Sequence, residues 1–291
     1  MIAGLLYASQ CFLGEGPIWH PARKSCWWVD IENNRLYEYS WGEGRLSGQW
    51  EFPYRVTLVV IDLEDKLLLG VEGGVIRFDP DTGESSWLLD LEKDKEKHRC
   101  NDGKVDRAGR LWVGTLHRDF IEGVAGFYRI GEDLVPQKQI SDVTISNGIA
   151  WSGDDTSMYY IDSPRRCIES YQYDGETGQL RFERVAVVVP SGIGDPDGMT
   201  IDEEGMLWVA HWGSGCVHRW DPGSGKMLAT IEVPAPNVSS CAFVGEALDH
   251  LLITTARQGL SADALAQYPS SGDVFLVKMP VKGVPEQRCR L

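Results

Sequence analysis

Glu15, Asn147 and Asp197 each stand four residues ahead of an apolar residue, Trp19, Trp151 or Ile201, that ends a short strand-like segment. The same step back from Ile61, Val105 and Val244 reaches Thr57, Asn101 and Ser240, so six polar residues share one phase of a repeat. Two carboxylates and an amide are hard oxygen donors, the set that suits Ca²⁺, Mg²⁺ or Mn²⁺, and two negative charges offset a dication. Taken singly, each residue has a plainer reading: Asn147-Gly148 and Asp197-Gly198 are ordinary turn dipeptides, and Glu15-Gly16-Pro17 could be loop chemistry. Their common phase favours one shared site, since three unrelated turns have no reason to agree on it. A channel that is merely wet and polar is the alternative.

The elements that would position these residues come from the repeat itself. Six segments rich in aromatic and branched residues begin at Trp27, Leu67, Leu111, Met158, Leu207 and Leu251. They lie roughly 40 to 50 residues apart, the length of one four-stranded propeller blade. Second strands follow most of them, as in Val75 to Asp79, Ser170 to Asp174 and Val217 to Asp221. Asp79-Pro-Asp-Thr-Gly83, Asp174-Gly-Glu-Thr-Gly178 and Asp221-Pro-Gly-Ser-Gly225 close these hairpins. Helical periodicity is weak, so the chain reads as all-β, a six-bladed β-propeller in one domain over residues 1–291. Leu91 to His98, a charge-dense stretch read as a solvated loop, and Ser261 to Gln267 are the only candidate helical turns. Residues near Leu5 to Ser9 are expected to add a strand to the blade containing Val274 to Val277. Rotation about the propeller axis then brings the six polar positions to one channel mouth.

Other chemistries lack their signatures. There is no Gly-x-Ser-x-Gly elbow, no His-Glu-x-x-His helix, no phosphate loop and no dinucleotide fingerprint. The six histidines show no ligand spacing, although His117 and His211, just after strands, could approach the site. The tryptophans fall mostly on strands and read as packing between blades rather than as a ligand platform. A net charge of −15 disfavours nucleic acid and anionic lipid. The seven cysteines are scattered without Cys-x-x-Cys pairs and read as reduced thiols of a cytoplasmic protein. The N-terminus lacks the basic region of a signal peptide, and no apolar run is long enough to cross a membrane. A monomer or weak oligomer is expected. Asn237-Val-Ser239 matches a glycosylation sequon, without consequence in that setting.

Leu13-Gly-Glu-Gly-Pro17, Arg99-Cys-Asn-Asp-Gly-Lys104 with Gly109-Arg-Leu-Trp-Val-Gly-Thr115, Ile145-Ser-Asn-Gly148, and Pro196-Asp-Gly-Met199 with Leu207-Trp-Val-Ala210 occur in order at blade spacing. On these motifs the chain resembles the senescence-marker-protein/gluconolactonase family, also called regucalcin-like, over nearly its whole length. The resemblance implies the six-bladed propeller and one divalent metal held by Glu15, Asn147 and Asp197. It further implies Asp197 as general base, and Arg99 and Asn101 as holders of substrate hydroxyls. Where regucalcin-type members place a substrate-contacting Glu after the third inner strand, this sequence carries Asp119, whose shorter side chain bears on sugar preference.

The activity so implied is hydrolysis of a sugar lactone, such as gluconolactone, xylonolactone, arabinonolactone or galactonolactone, to its aldonic acid. The ion could be Ca²⁺, Zn²⁺, Mg²⁺ or Mn²⁺, because transition ions outcompete hard ones at oxygen sites. Three rivals stand beside this. A calcium-binding regulatory protein without catalysis would use the same three oxygens. An inert propeller interaction module is disfavoured by the absence of Trp-Asp blade signatures and by acids on only two of six ring positions. Hydrolysis of aryl esters or organophosphates would waste the hydrogen bonds of Arg99, Asn101 and Asp119, which a polyol uses and an apolar ester does not.

Overall fold

The computed structural model describes residues 1–291. Alternation along the strands explains the architecture. In Ser25–Asp30 every residue is buried, yet the two faces pack in opposite directions. Trp27 and Val29 join Val59, Ile61, Leu67 and Leu69 of the next sheet. Cys26 and Trp28 join Val244, Leu252 and Val274 from the far end of the chain. A strand with two apolar faces fits only between two other sheets, and each fully buried Leu, Ile or Val side chain contributes about 1.5–3 kcal/mol.

The result is an all-β molecule of antiparallel sheets taken up in chain order. Gly14–His20, Ser25–Asp30, Arg35–Ser40 and Arg45–Glu51 form the first four-stranded sheet, and three more repeat this order through Gln179–Val188. The remaining eight strands form one sheet. Within it, Asp195–Ile201 to Lys226–Glu232 meet the other four strands at a single register pair, Trp212 with Asn237. Gly4–Tyr7 pairs with Val274–Lys278, so an N-terminal strand completes the last group as expected. The first strands, Gly14–His20, Val56–Ile61, His98–Val105, Ser146–Trp151, Asp195–Ile201 and Asn237–Val244, pack each on the next, and the last returns to the first.

Every one of these first strands carries a register irregularity at the polar ring position. The breaks fall between Glu15 and Ile18, Val56 and Leu58, Cys100 and Gly103, Asn147 and Ile149, Pro196 and Met199, and Val238 and Ser240. A bulge takes a residue out of the ladder and re-aims its side chain, which is how strand residues come to face a channel. The glycine after the ring residue serves close approach. A Cβ on Gly198 would lie 2.1 Å from Ser240 Oγ, and one on Gly148 would lie 2.6 Å from Met199 Cβ. Asn147-Gly and Asp197-Gly therefore sit inside strands, not in turns.

Aspartates fasten both ends of these strands. At the far end, Asp106 and Asp202 accept the Arg110 and Met206 N–H groups, each at 2.9 Å, and the indole N–H groups of Trp112 and Trp208. Ahead of the ring, Asp30 accepts from Phe12 N and Leu13 N, and Asp162 accepts from Thr144 N and Ile145 N. Residues 282–290 then run across the far end of the channel. Their backbone bonds reach Glu203 and Leu248 of the eight-stranded sheet and Ile61 and Gly109 of two others, and Glu286 extends toward Lys104.

Ser261 caps the one α-helix, Ala262–Gln267. Leu91 to His98 forms turns but is not wholly solvated: Leu91 is buried, and Glu92 accepts from Lys95 and the Tyr128 hydroxyl, both at 2.6 Å. Together with His98 Nδ1 at 2.8 Å from the other carboxylate oxygen, these partners satisfy the buried carboxylate. All seven cysteines are unpaired. No helix is long and apolar enough to cross a membrane.

Candidate functional site

The bulged strands deliver four of the six ring residues, Glu15, Asn101, Asn147 and Asp197, together with Arg99, to one cavity of about 390 Å³. Thr57 instead donates to Gly70 O within its own sheet. Ser240 lies deeper in the channel, in a small void lined also by Asp102 and Glu286. The floor is thus polar, while Leu13, Leu116, Phe120, Ile145, Trp212 and Leu260 contribute the apolar wall.

A continuous run of hydrogen bonds fixes the floor. Arg99 Nη1 donates to Asn101 Oδ1 at 2.6 Å, and Asn101 Nδ2 donates to Ser146 O at 2.6 Å and to Asn147 Oδ1 at 2.9 Å. Asn147 Nδ2 donates to Ser163 Oγ at 2.7 Å, and Ser163 Oγ donates to Pro196 O at 2.6 Å. Arg99 is buried without an ion-paired carboxylate, and its Nε has no partner. Burial pulls its guanidinium down to about 10.

The carboxylates are strained electrostatically. Burial, and secondarily the charge of Asp102, pushes Glu15 up to about 8. Burial raises Asp197 well above the usual carboxylate range, with Glu15 the next cause. Asp102 is itself pushed up to about 6, chiefly by burial. Glu15 accepts the Gly16 N–H at 3.0 Å, and neither it nor Asp197 has an ion-paired Lys, Arg or His. Buried like charges are costly, the Arg99 guanidinium in the same cavity offsets them only in part, and a cation close to both would offset them further. No group of three His, Cys, Asp or Glu side chains is placed to hold a metal ion. A cation here would therefore rely on Glu15, Asp197, the Asn147 amide oxygen and oxygens from small molecules.

The structure places the remaining candidates in different settings. Asp119 does not line the cavity. It is exposed and its carboxylate accepts from Lys97 Nζ at 2.6 Å. The chain turns sharply here: Phe120 N donates to His117 O, and Phe120 takes a φ of 54°, so Phe120 forms the wall in its place. Neither His117 nor His211 lines the cavity. His211 is fully buried, pairs in register with Pro196 and accepts from Trp220 Nε1 at 3.3 Å, and burial pulls its imidazole down to about 3. Most tryptophans are packing residues, such as Trp27 stacked on Trp50, but Trp212 belongs to the cavity wall. Asn237 of the sequon is a buried wall residue bonded to Gln258 O.

Ser163 and Asp102 escaped the sequence reading. Ser163 begins a 3-10 turn after the second strand of its sheet, outside the repeat phase, and only a hydroxyl following Asp162 hinted at it. Asp102 neighbours a ring residue and was hidden by it.

The family model described as the SMP-30/gluconolactonase/LRE-like region matches residues 13–257. Regucalcin from Danio rerio is 36% identical over 278 residues, covering 94% of this chain and 93% of its own. A Bacillus subtilis protein, whose name assigns it provisionally to the sugar lactone lactonases, is 32% identical over 278 residues, 94% of each chain. The crystal structure of a calcium-binding protein, regucalcin from Agrobacterium tumefaciens, superposes with a TM-score of 0.95 at 31% identity, covering 100% of this chain and 98% of that one. With its motifs in order and its cavity built from them, the chain belongs to the SMP-30/gluconolactonase/LRE-like family.

Proposed function

We propose that this protein hydrolyses the ring ester of a sugar lactone to the aldonic acid, at a divalent-metal site held by Glu15, Asn147 and Asp197. The observation that carries the reading is the convergence, in one cavity, of those three oxygen donors from separate strands beside Arg99 and Asn101. We count the eight-stranded sheet as two blades joined at Trp212 and Asn237, which makes the molecule a single-domain six-bladed propeller with the site at one mouth. The unpaired cysteines support a reducing, cytoplasmic setting.

A bound dication would supply Lewis acidity at the lactone carbonyl oxygen. The chain's own residues do the rest. Asp197 takes a proton from the attacking water, whose oxygen bonds to the carbonyl carbon. The ring C–O bond then breaks, the ring oxygen gains a proton, and a hydroxy acid results. Arg99 and Asn101 hold ring hydroxyls, and the apolar wall packs against the C–H face of the sugar while excluding water. Arg99→Ala is expected to raise KM about tenfold to a hundredfold, the range for a charge-assisted hydrogen bond, with a smaller change in kcat. Steady-state kinetics that leave KM unmoved would remove Arg99 from substrate binding.

A calcium-binding role without catalysis uses the same three oxygens, and the Agrobacterium relative is described as calcium-binding. That role leaves Arg99, Asn101 and the walled cavity without a task. Metal-stripped protein reconstituted singly with Ca²⁺, Zn²⁺, Mg²⁺ or Mn²⁺ and assayed for acid release on a panel of sugar lactones decides between them. Turnover with at least one ion and one lactone is expected. No rate above buffer for any pair would leave only the binding role.

A further inference from the structure

We propose that Ser163 is a positioning residue that sets the orientation of the Asn147 amide and thereby the cation affinity of the site; this rests on the metal reading above. Ser163 is 8% exposed and its hydroxyl has two partners. It accepts from Asn147 Nδ2 at 2.7 Å and donates to Pro196 O at 2.6 Å. A hydroxyl carries one proton. With that proton committed to a carbonyl, which can only accept, the Ser163 oxygen is left to accept from Asn147. The Asn147 NH₂ group must then face Ser163, and Oδ1 must face the other way.

The opposite end of the relay has the same irreversibility. A guanidinium only donates, so Asn101 presents Oδ1 to Arg99, and its NH₂ group faces Ser146 O and Asn147 Oδ1. The Asn147 amide is gripped between a group that cannot accept and a group that cannot donate. Asn101 occupies one lone pair of Oδ1 and leaves the second for a cation. A flipped amide would offer N–H donors to the ion instead. The relay also crosses three first strands and ends on Pro196, the residue before Asp197, so one hydroxyl ties the orientation of one oxygen donor to the backbone carrying another.

Removing Ser163 leaves the Arg99 and Asn101 half of the grip, so the loss is partial. Groups that orient a metal ligand from behind are worth about 10–100-fold in affinity. Metal-stripped wild type, Ser163→Ala and Ser163→Thr are titrated with Ca²⁺ and, separately, Mn²⁺ by isothermal titration calorimetry, and the metal-free thermal midpoint of each is measured. Ser163→Ala is expected to raise Kd about 10–100-fold with little change in the midpoint, while Ser163→Thr, which keeps the hydroxyl, stays near wild type. If the alanine variant is too unstable to titrate, Ser163→Cys, whose thiol is a weak donor and acceptor, carries the test: a weakened Kd supports the relay, and a folded cysteine variant with wild-type Kd overturns it. Wild type that binds an ion while Ser163→Ala binds equally well overturns the role of Ser163 alone. Wild type that takes up neither ion overturns the metal reading, and Ser163's role with it.

Discussion

Asp197→Ala is expected to abolish lactone hydrolysis, with kcat/KM falling by at least the 10²–10⁴-fold that a general base alone contributes. On the proposed reading the side chain is at once proton acceptor for water and oxygen donor to the ion, and alanine removes both. Asp197→Asn separates them. Asparagine keeps the shape and one carbonyl oxygen in the same bulge, next to Gly198, where a larger residue would meet Ser240. It is therefore expected to retain weakened ion binding while losing turnover. Acid release followed continuously, with ion uptake measured on the same samples, gives both quantities. Turnover near wild type in either variant would remove Asp197 from the chemistry.

The second large effect concerns stability without metal. Glu15 binds its proton more tightly in the folded chain, at about 8, than the ordinary value of 4.5, because burial and the Asp102 charge disfavour its ionised form. Between those values the native state holds more protons than the unfolded chain, so stability must fall as pH rises through the window. Below about 4.5 both states are protonated and the penalty vanishes. The metal-free protein is accordingly expected to lose several degrees of thermal midpoint between pH 5 and pH 8. Glu15→Gln should flatten that slope by removing the charge and relieving Asp197, and saturating Ca²⁺ should flatten it in the wild type. Scanning calorimetry across the range checks this. A metal-free slope identical in wild type and Glu15→Gln would show that Glu15 is not held as an uncompensated charge.

The contrast between Glu15 and Asp119 shows what was legible in the sequence. Glu15 lies in a structural phase that six strands repeat, each with a register break at the same place. Such a repeat writes the position of a side chain into spacing alone, and alternating apolar residues write the two-faced sheets in the same way. Asp119 lies in a connection that belongs to one sheet only. Its direction depends on a left-handed residue at Phe120 and on capture by Lys97 from a neighbouring loop, and neither has a periodic signature. Ser163 was missed for a related reason. Its value comes from two partners on other strands, Asn147 and the Pro196 carbonyl, which are 16 and 33 residues away along the chain. The apolar wall was hidden in the same manner, because Trp212 and Leu260 look like packing residues until the cavity shows which side of them is open.

Residues 282–290 cross the channel end that lies opposite the polar ring, about 13 Å along the strands at roughly 3.3 Å per residue, and bond to several sheets there. The site is thus the bottom of a blind well. On the proposed reading, ligands have one doorway, and an aldonate formed inside would leave by the way a fresh lactone enters. Traffic in the two directions would then share one lane, so accumulated product is expected to compete with entry.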